Sequence, residues 1–263
     1  MQSNLFDSLE QDKKNSVIGQ IIKTFPIIDS TNLEAKRQAI SGAEHGTVFL
    51  AEEQTLAKGR LGRKWNSPKG EGLYLSILLR PNIPAEEISR MPLVAGLSIC
   101  STLNEMFCCN SLLKWPNDVI IGRKKVCGIL TESSISPDGI EYVIIGIGIN
   151  TDQKTFPNEI SQKATSLFLE TGHHVPKGLL LTNLLETFQQ DYNTFISGSF
   201  EELRRKYCSK LATLGRTVYS FQGNQIVSGK AVDISADCSL IIETPDNERI
   251  ALSCGEITVQ GIY

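Results

Sequence analysis

The segment Gln54–Trp65 (QTLAKGRLGRKW) combines residue types that can hold an anion. Its cations, with no acidic residue among them, are Lys58, Arg60, Arg63 and Lys64. Gly59 and Gly62 allow positive φ and a close backbone approach to a ligand, and successive N–H groups in such a loop can form a concave anion-binding nest. The composition alone is equally typical of a solvated basic loop. The segment therefore predicts a phosphate or carboxylate site, with an exposed loop as the alternative.

A second polar cluster, Asp29–Asn32 (DSTN), stands directly before a helical pattern over 33–40. All four residue types can cap a helix, and a cap needs only one or two of them. The remaining hydroxyl or amide groups are then available to a ligand at the helix N-terminus.

Three further clusters follow: KWPND at 114–118, KVCGILTE at 125–132 and GIGIN at 146–150. Lys125 ends a charged turn, which is typical of a surface lysine, but the apolar strand pattern after it favours a more buried position. For Asp118, a turn-forming role and a functional role are equally compatible with the sequence. For Trp115, core packing and stacking on a ligand are equally compatible. GIGIN is not a dinucleotide fingerprint, since no third glycine follows and the pattern is that of a strand.

The elements that must position these clusters follow from hydrophobic periodicity and turn signals. Strands are expected over 25–28, 47–52, 73–79, 112–115, 119–121, 126–132 and 141–149. Helices are expected over 33–40, 84–108, 164–170, 177–196 and 200–210. From 214 onward the pattern changes to short strands, expected over 217–221, 226–234, 239–243, 249–252 and 257–259, with a turn at Gly223–Asn224.

This change of pattern divides the chain. We predict a short N-terminal extension over 1–25, a large domain over 26–213 that carries the clusters above, and a small C-terminal domain over 214–263. Roughly fifty residues of short strands is the size of a small β-barrel of the SH3 type. The predicted fold class is α+β, with an SH3-like barrel at the C-terminal end.

Composition excludes several classes of protein. The 263 residues carry a net charge of −3, and 41% are hydrophobic and 21% charged, as in an ordinary globular protein. The slight acidic excess argues against a general nucleic-acid binder. We find no apolar run of the ~18 residues that a membrane span needs, and no signal-peptide pattern. The seven cysteines are scattered without metal-ligand spacing, which predicts reduced thiols in a cytoplasmic protein.

Together, and in this order, the clusters resemble the motifs of the biotin protein ligases, or biotin–[acetyl-CoA-carboxylase] ligases. The matching family patterns are S-T-N, G-R-x-G-R-x-W, K-W-P-N-D, K-x-x-G-I-L-x-E and G-x-G-I-N, spread over 26–150. Each pattern is weak alone, whereas the ordered set is specific. The resemblance implies a class II synthetase-like catalytic domain, built on a mixed, largely antiparallel sheet with flanking helices.

The resemblance also implies an activity and its partners. Biotin and ATP, as its Mg²⁺ complex, would give biotinyl-5′-AMP and pyrophosphate. The biotinyl group would then pass to one lysine of the biotin carboxyl carrier protein domain of acetyl-CoA carboxylase. Members of the family are monomers or homodimers, and the sequence favours neither.

Site residues can be carried over position by position. The resemblance implies catalytic roles for Lys125, Arg60 and Asp118. The residues it places against biotin are Ser30, Thr31, Asn32, Gln54, Lys58, Gly59, Arg60, Lys125 and Gly128. Those it places against the nucleotide are Arg60, Arg63, Trp65, Asn117, Lys125 and Asn150, and it assigns no metal ligand. Lys58 stands where the family more often has arginine, so it keeps the charge but loses the bidentate fork.

Other functions stay open as alternatives. A lipoate– or octanoate–protein ligase would share the fold and a catalytic lysine, and a non-catalytic biotin-binding regulator would share the pocket. A biotin-sensing repressor would add an N-terminal winged helix, which the residues before Pro26 are too few to form. We therefore expect no specific DNA binding.

Overall fold

Two β-sheets organise the chain in the computed structural model, which describes residues 17–222, 225–253 and 257–263. The larger sheet has seven strands and the smaller has five. Within the described ranges, no helix is both long and apolar enough to cross a membrane.

The seven-stranded sheet is mixed and largely antiparallel, as predicted. Its strands are β1 (Ile22–Phe25), β2 (Val48–Ala51), β3 (Gly72–Leu79), β4 (Ser111–Lys114), β5 (Asp118–Ile121), β6 (Lys124–Ser136) and β7 (Gly139–Asn150). They run in the order β1-β2-β3-β7-β6-β5-β4. Only the β1–β2 pair within this sheet is parallel.

Helices cover both faces of this sheet, which explains why β3 is an unbroken buried run rather than an alternating one. The helices are α1 (Thr31–Ile40), α2 (Met91–Phe107), α3 (Leu167–Thr171), α4 (Lys177–Ile196) and α5 (Phe200–Ser209). Helix α1 packs on β2, β3 and β7, and its Ala35 and Ala39 meet Leu78 of β3. Helix α2 packs on the other face and against α4, where Leu75 and Ile77 of β3 join the main core.

Among the predicted elements that are wrong in extent are one helix and one strand. The expected helix 84–108 is divided into a 3₁₀ helix, Ala85–Arg90, and α2, which begins at Met91. Pro92 explains the division, because proline has no N–H to donate and fits only the first turn of an α-helix. The expected strand 25–28 lies earlier, as β1, and ends immediately before Pro26.

The C-terminal strands form a separate antiparallel sheet. They are β8 (Thr217–Gln222), β9 (Gln225–Ile234), β10 (Leu240–Glu243), β11 (Arg249–Leu252) and β12 (Ile257–Val259), in the order β11-β10-β9-β8-β12. The turn expected at Gly223–Asn224 lies outside the described residues.

Trp115 joins the two sheets. Its indole is buried, and its Nε1 donates to Cys238 O at 2.9 Å in the segment before β10. Of the two readings open from the sequence, the contacts favour core packing for this tryptophan, although it also borders the cavity described below.

We expect Trp115→Phe to lower the free energy of unfolding by about 1–3 kcal/mol, because the Cys238 carbonyl would stay buried without its donor. Urea titration followed by circular dichroism measures this. Trp65→Phe is the matched control, since the Trp65 Nε1 has no hydrogen-bond partner among the described residues. Equal losses in both variants would contradict the role of the Trp115–Cys238 bond.

Candidate functional site

One cavity of about 830 Å³ gathers every site residue predicted from the sequence. Those lining residues are Ser30, Thr31, Asn32, Gln54, Lys58, Gly59, Arg60, Arg63, Trp65, Asn117, Asp118, Lys125, Gly128 and Asn150. In the sequence, these residues extend from the start of α1 to the end of β7. The cavity also has a lining from the C-terminal part of the chain, including Phe221 and Thr258 of the smaller sheet and Tyr263, which follows it.

A hydrogen-bonded network fixes the polar groups at the start of α1. The Thr31 N–H and hydroxyl both donate to Gln54 Oε1, at 2.8 and 3.1 Å. The Ser76 hydroxyl, fully buried on β3, is within 2.8 Å of Thr31 Oγ1 and 2.6 Å of Asn32 Oδ1. Asn32 Nδ2 in turn donates to Glu132 Oε2 at 2.7 Å. Ser30 serves mainly as the N-cap, accepting from the Leu33 N–H.

Ser76 and Glu132 were missed by the sequence interpretation as parts of this network. Ser76 interrupts an otherwise apolar strand, and that single polar residue was the available signal. Glu132 closes the KVCGILTE cluster, but its contact with Asn32 crosses 100 positions of sequence.

Residues 57–65 form a closed β-hairpin, which we call the cationic hairpin. Lys58 pairs with Lys64, the Gly59 N–H donates to Arg63 O at 2.7 Å, and the Trp65 N–H donates to Ala57 O at 3.0 Å. The Gly59 N–H is therefore used inside the hairpin and does not contribute to a backbone anion nest. The charged side chains are what this segment offers to a ligand.

Arg60 attaches the cationic hairpin to the KWPND cluster. Its Nη1 donates to Asn117 Oδ1 at 3.3 Å, and Asn117 Nδ2 donates to Ile129 O at 2.6 Å on β6. The guanidinium thus lines the cavity beside Asn117 and is only partly exposed, which argues against the solvated-loop alternative for this residue.

Lys125 lines the cavity and, with its side chain 24% exposed, is not an ordinary surface lysine. Its Nζ is 2.5 Å from Asp118 Oδ1 and 5.2 Å from the centroid of the Trp65 ring. Its backbone is held on both sides, with the N–H donated to Lys163 O at 2.8 Å and the carbonyl accepting from Thr165 at 2.9 Å. A cation that is fixed in this way can neutralise two anions brought together beside it.

Tyr263 completes the surroundings of Asp118, and the sequence interpretation missed it entirely. Its hydroxyl donates to Asp118 Oδ2 across 145 positions of sequence. Burial raises the pKa of the Tyr263 phenol well above its ordinary value, and the neighbouring Asp118 carboxylate adds to the shift. The phenol therefore stays protonated and can only donate to the ionised carboxylate.

Two glycines of β7 make room for side chains that border the cavity. A Cβ on Gly148 would lie 2.5 Å from Trp65 Nε1, and one on Gly146 would collide with the Asn32 amide. The GIGIN cluster thus needs glycine because two side chains cross the sheet at those points.

Asn150 has both ends of its amide engaged. Its Nδ2 donates to Thr165 O at 3.0 Å, and its Oδ1 accepts from Gln153 Nε2 at 3.2 Å. The side chain is buried, so it shapes the wall of the cavity at least as much as it offers polar atoms to a ligand.

Comparison with known proteins agrees with this geometry. The family model described as the biotin/lipoate A/B protein ligase family matches residues 24–150, and the one described as the biotin protein ligase C terminal domain matches 213–259. The bifunctional ligase/repressor BirA of Bacillus subtilis is 33% identical over 90% of this chain and 73% of its own length. The biotin–[acetyl-CoA-carboxylase] ligase of Paracoccus denitrificans is 31% identical over 84% of this chain and 94% of its own length.

Solved structures give the same result. The biotin protein ligase from Aquifex aeolicus, in complex with biotin and ATP, superposes with a TM-score of 0.79 at 34% identity. The match covers 92% of this chain and 99% of that one.

Proposed function

The chain belongs to the biotin protein ligase family, and from this premise we propose that it makes biotinyl-5′-AMP and transfers biotin to a lysine of a biotin carboxyl carrier domain. One observation carries the proposal. The polar network of α1, the cationic hairpin and Lys125 all line one cavity, of about 830 Å³. The α1 network supplies a site for a polar ring, and the cationic hairpin supplies a cover of positive charge. Lys125 supplies a fixed cation between them.

We assign the α1 network to biotin. The ureido ring presents two N–H donors and one carbonyl acceptor, and the side chains of Ser30, Thr31 and Asn32 carry both donors and acceptors. Because Ser76 and Glu132 already orient Thr31 and Asn32, little conformational entropy is lost when the ring binds.

We assign the reacting centre to Lys125 and Arg60. In the first step a biotin carboxylate oxygen attacks the α-phosphorus of ATP, and pyrophosphate leaves. Two anions must approach each other, so positioning and neutralisation of charge are the main contributions of the enzyme. In the second step the amine of an acceptor lysine attacks the mixed anhydride and AMP leaves. Asp118 is the carboxylate best placed to accept the proton that this amine must lose.

Magnesium enters this proposal as part of the substrate, MgATP. Mg²⁺ keeps most of its ligands as water and phosphate oxygens and takes one or two carboxylates from a protein. The described residues contain no group of three or more His, Cys, Asp or Glu side chains that could hold a metal alone. The lining carboxylates Asp118 and Glu159 suit a metal that arrives with the nucleotide.

Exchange of labelled pyrophosphate into ATP tests the proposal. We expect exchange that depends on biotin. Exchange that requires lipoate or octanoate instead would support the other ligases of the superfamily, and absence of exchange with every acid would support a non-catalytic regulator. Mass spectrometry of a carrier domain incubated with biotin and ATP then tests the transfer step.

A matched pair of glycine variants tests which end of the cavity binds which substrate. Gly146→Ala disturbs Asn32 and should raise the KM for biotin, whereas Gly148→Ala displaces Trp65 and should raise the KM for ATP. Overpacking of this kind costs about 1–3 kcal/mol, so each KM should rise roughly 5- to 150-fold.

Each glycine variant is the control for the other, since both lie on β7 and differ in the side chain they meet. Steady-state exchange measured against each substrate gives the two constants. The assignment fails if both variants raise the same KM.

A further inference from the structure

A chain of three polar side chains runs from the C-terminal part of the protein into the proposed reacting centre. The Tyr263 hydroxyl donates to Asp118 Oδ2, and Asp118 Oδ1 is 2.5 Å from Lys125 Nζ. A phenol, a carboxylate and an ammonium group are therefore connected in series. Asp118 lies on β5 and Lys125 on β6 of the large sheet.

Tyr263 itself is held from several directions. Its backbone N–H donates to Arg123 O at 3.3 Å, in the turn that precedes Lys125. The buried Lys114 places its Nζ 3.6 Å from the centroid of the Tyr263 ring, a cation–π contact. The preceding residue, Ile262, is buried in the core. Together, these contacts hold the phenol ring in one position.

Fixing the phenol also fixes the carboxylate. An ionised Asp118 can only accept hydrogen bonds, and with Oδ2 taken by Tyr263 its other oxygen faces Lys125. Without that hydroxyl, the carboxylate can rotate and Lys125 can follow it. A displacement of about 1 Å at a reacting centre can cost roughly 100-fold in rate.

We propose that Tyr263 is a positioning residue, which sets the place of Lys125 through Asp118 for the formation of the adenylate. The proposal rests on the proposed function, because that function gives Lys125 its task. It also gives the C-terminal sheet region a direct part in the first half-reaction. The alternative is that Tyr263 has only a structural role, as part of the cavity wall.

Tyr263→Phe separates these two possibilities, since it removes the hydroxyl and keeps the ring on Lys114. We expect kcat for biotin-dependent pyrophosphate exchange to fall about tenfold or more, as for loss of one hydrogen bond to a charged group. KM for biotin and for ATP should stay within about twofold, because an interaction that sets only the rate leaves substrate binding unchanged. Tyr219→Phe, on β8 with an exposed ring and outside the cavity, is the matched control.

A double-mutant cycle with Asp118→Ala, which removes the acceptor of the Tyr263 hydroxyl, gives the readout that a merely structural role would not move. If Tyr263 acts through Asp118, Tyr263→Phe should cause little further loss in the Asp118→Ala background. Single-turnover formation of the adenylate at excess enzyme resolves these slow variants, and urea titration checks that each one folds.

Two results would overturn the inference: an unchanged kcat in Tyr263→Phe, or the same fold-loss in both backgrounds. Failure of the proposed function is distinguishable, because the unmodified protein would then show no biotin-dependent exchange at all.

Discussion

Lys125→Ala is expected to lower biotin-dependent exchange of pyrophosphate into ATP by roughly 100- to 1,000-fold, the loss typical when one preorganised charge or donor is removed from a reacting centre. The biotin carboxylate and the α-phosphate repel each other as they approach. Lys125 Nζ belongs to the cavity lining and is paired with Asp118 Oδ1 at 2.5 Å. Its removal leaves that repulsion uncompensated at the moment of attack.

The same substitution should lower stability while leaving the protein folded at the assay temperature. The Lys125 and Asp118 side chains are only 24% and 14% exposed, and removal of one partner from a largely buried ion pair costs up to about 3–5 kcal/mol. Thermal unfolding of the variant measures this directly. If the variant were already unfolded at the assay temperature, lost exchange would report lost structure and would not support a catalytic role.

Lys124→Ala is the matched control for Lys125→Ala. Lys124 is the preceding residue of the same strand, and its Nζ reaches Ser161 O at 3.5 Å outside the cavity lining. Exchange should stay close to that of the unmodified protein. Equal losses in the two variants would show that the turn, and not the Lys125 ammonium, matters.

Elements with strong local signals could be predicted from the sequence. Helix α4 has the expected bounds, Lys177–Ile196, and so has β11, Arg249–Leu252. Strand β6 is longer than expected, since 126–132 became Lys124–Ser136. Its polar end is extended because it pairs with β7, and such pairing is a tertiary effect that local composition does not encode.

The candidate site shows the same division between what local sequence predicts and what only tertiary contacts reveal. The ordered motifs identified the residues that line the cavity, since each motif is local in sequence. The contacts that orient those residues are not local: Ser76 reaches Asn32 across 44 positions, and Tyr263 reaches Asp118 across 145. A single polar residue within a strand carries too little local information to reveal such partners. The same is true of a tyrosine that follows a short strand.

Arg60→Ala is expected to weaken retention of the adenylate about 10- to 100-fold, as loss of a charge-assisted hydrogen bond does. Arg60 carries the charge of the cationic hairpin onto the cavity floor, where its Nη1 meets Asn117 Oδ1 at 3.3 Å. The backbone N–H of Gly59 is used within the hairpin. Side-chain charge must therefore hold a bound phosphate, and free adenylate should label lysines of a bystander protein.

Leu61→Ala separates the charge of Arg60 from the shape of the cationic hairpin. Leu61 is the next residue, is 74% exposed and has a φ of 56°, so its replacement by alanine shortens a side chain at the tip of the hairpin without removing a cation. Bystander labelling, with chromatography of released adenylate, compares the two variants. If Leu61→Ala released as much adenylate as Arg60→Ala, retention would depend on the closed hairpin as a whole. If only Arg60→Ala did so, the guanidinium itself holds the intermediate, because both variants share the same backbone hydrogen bonds.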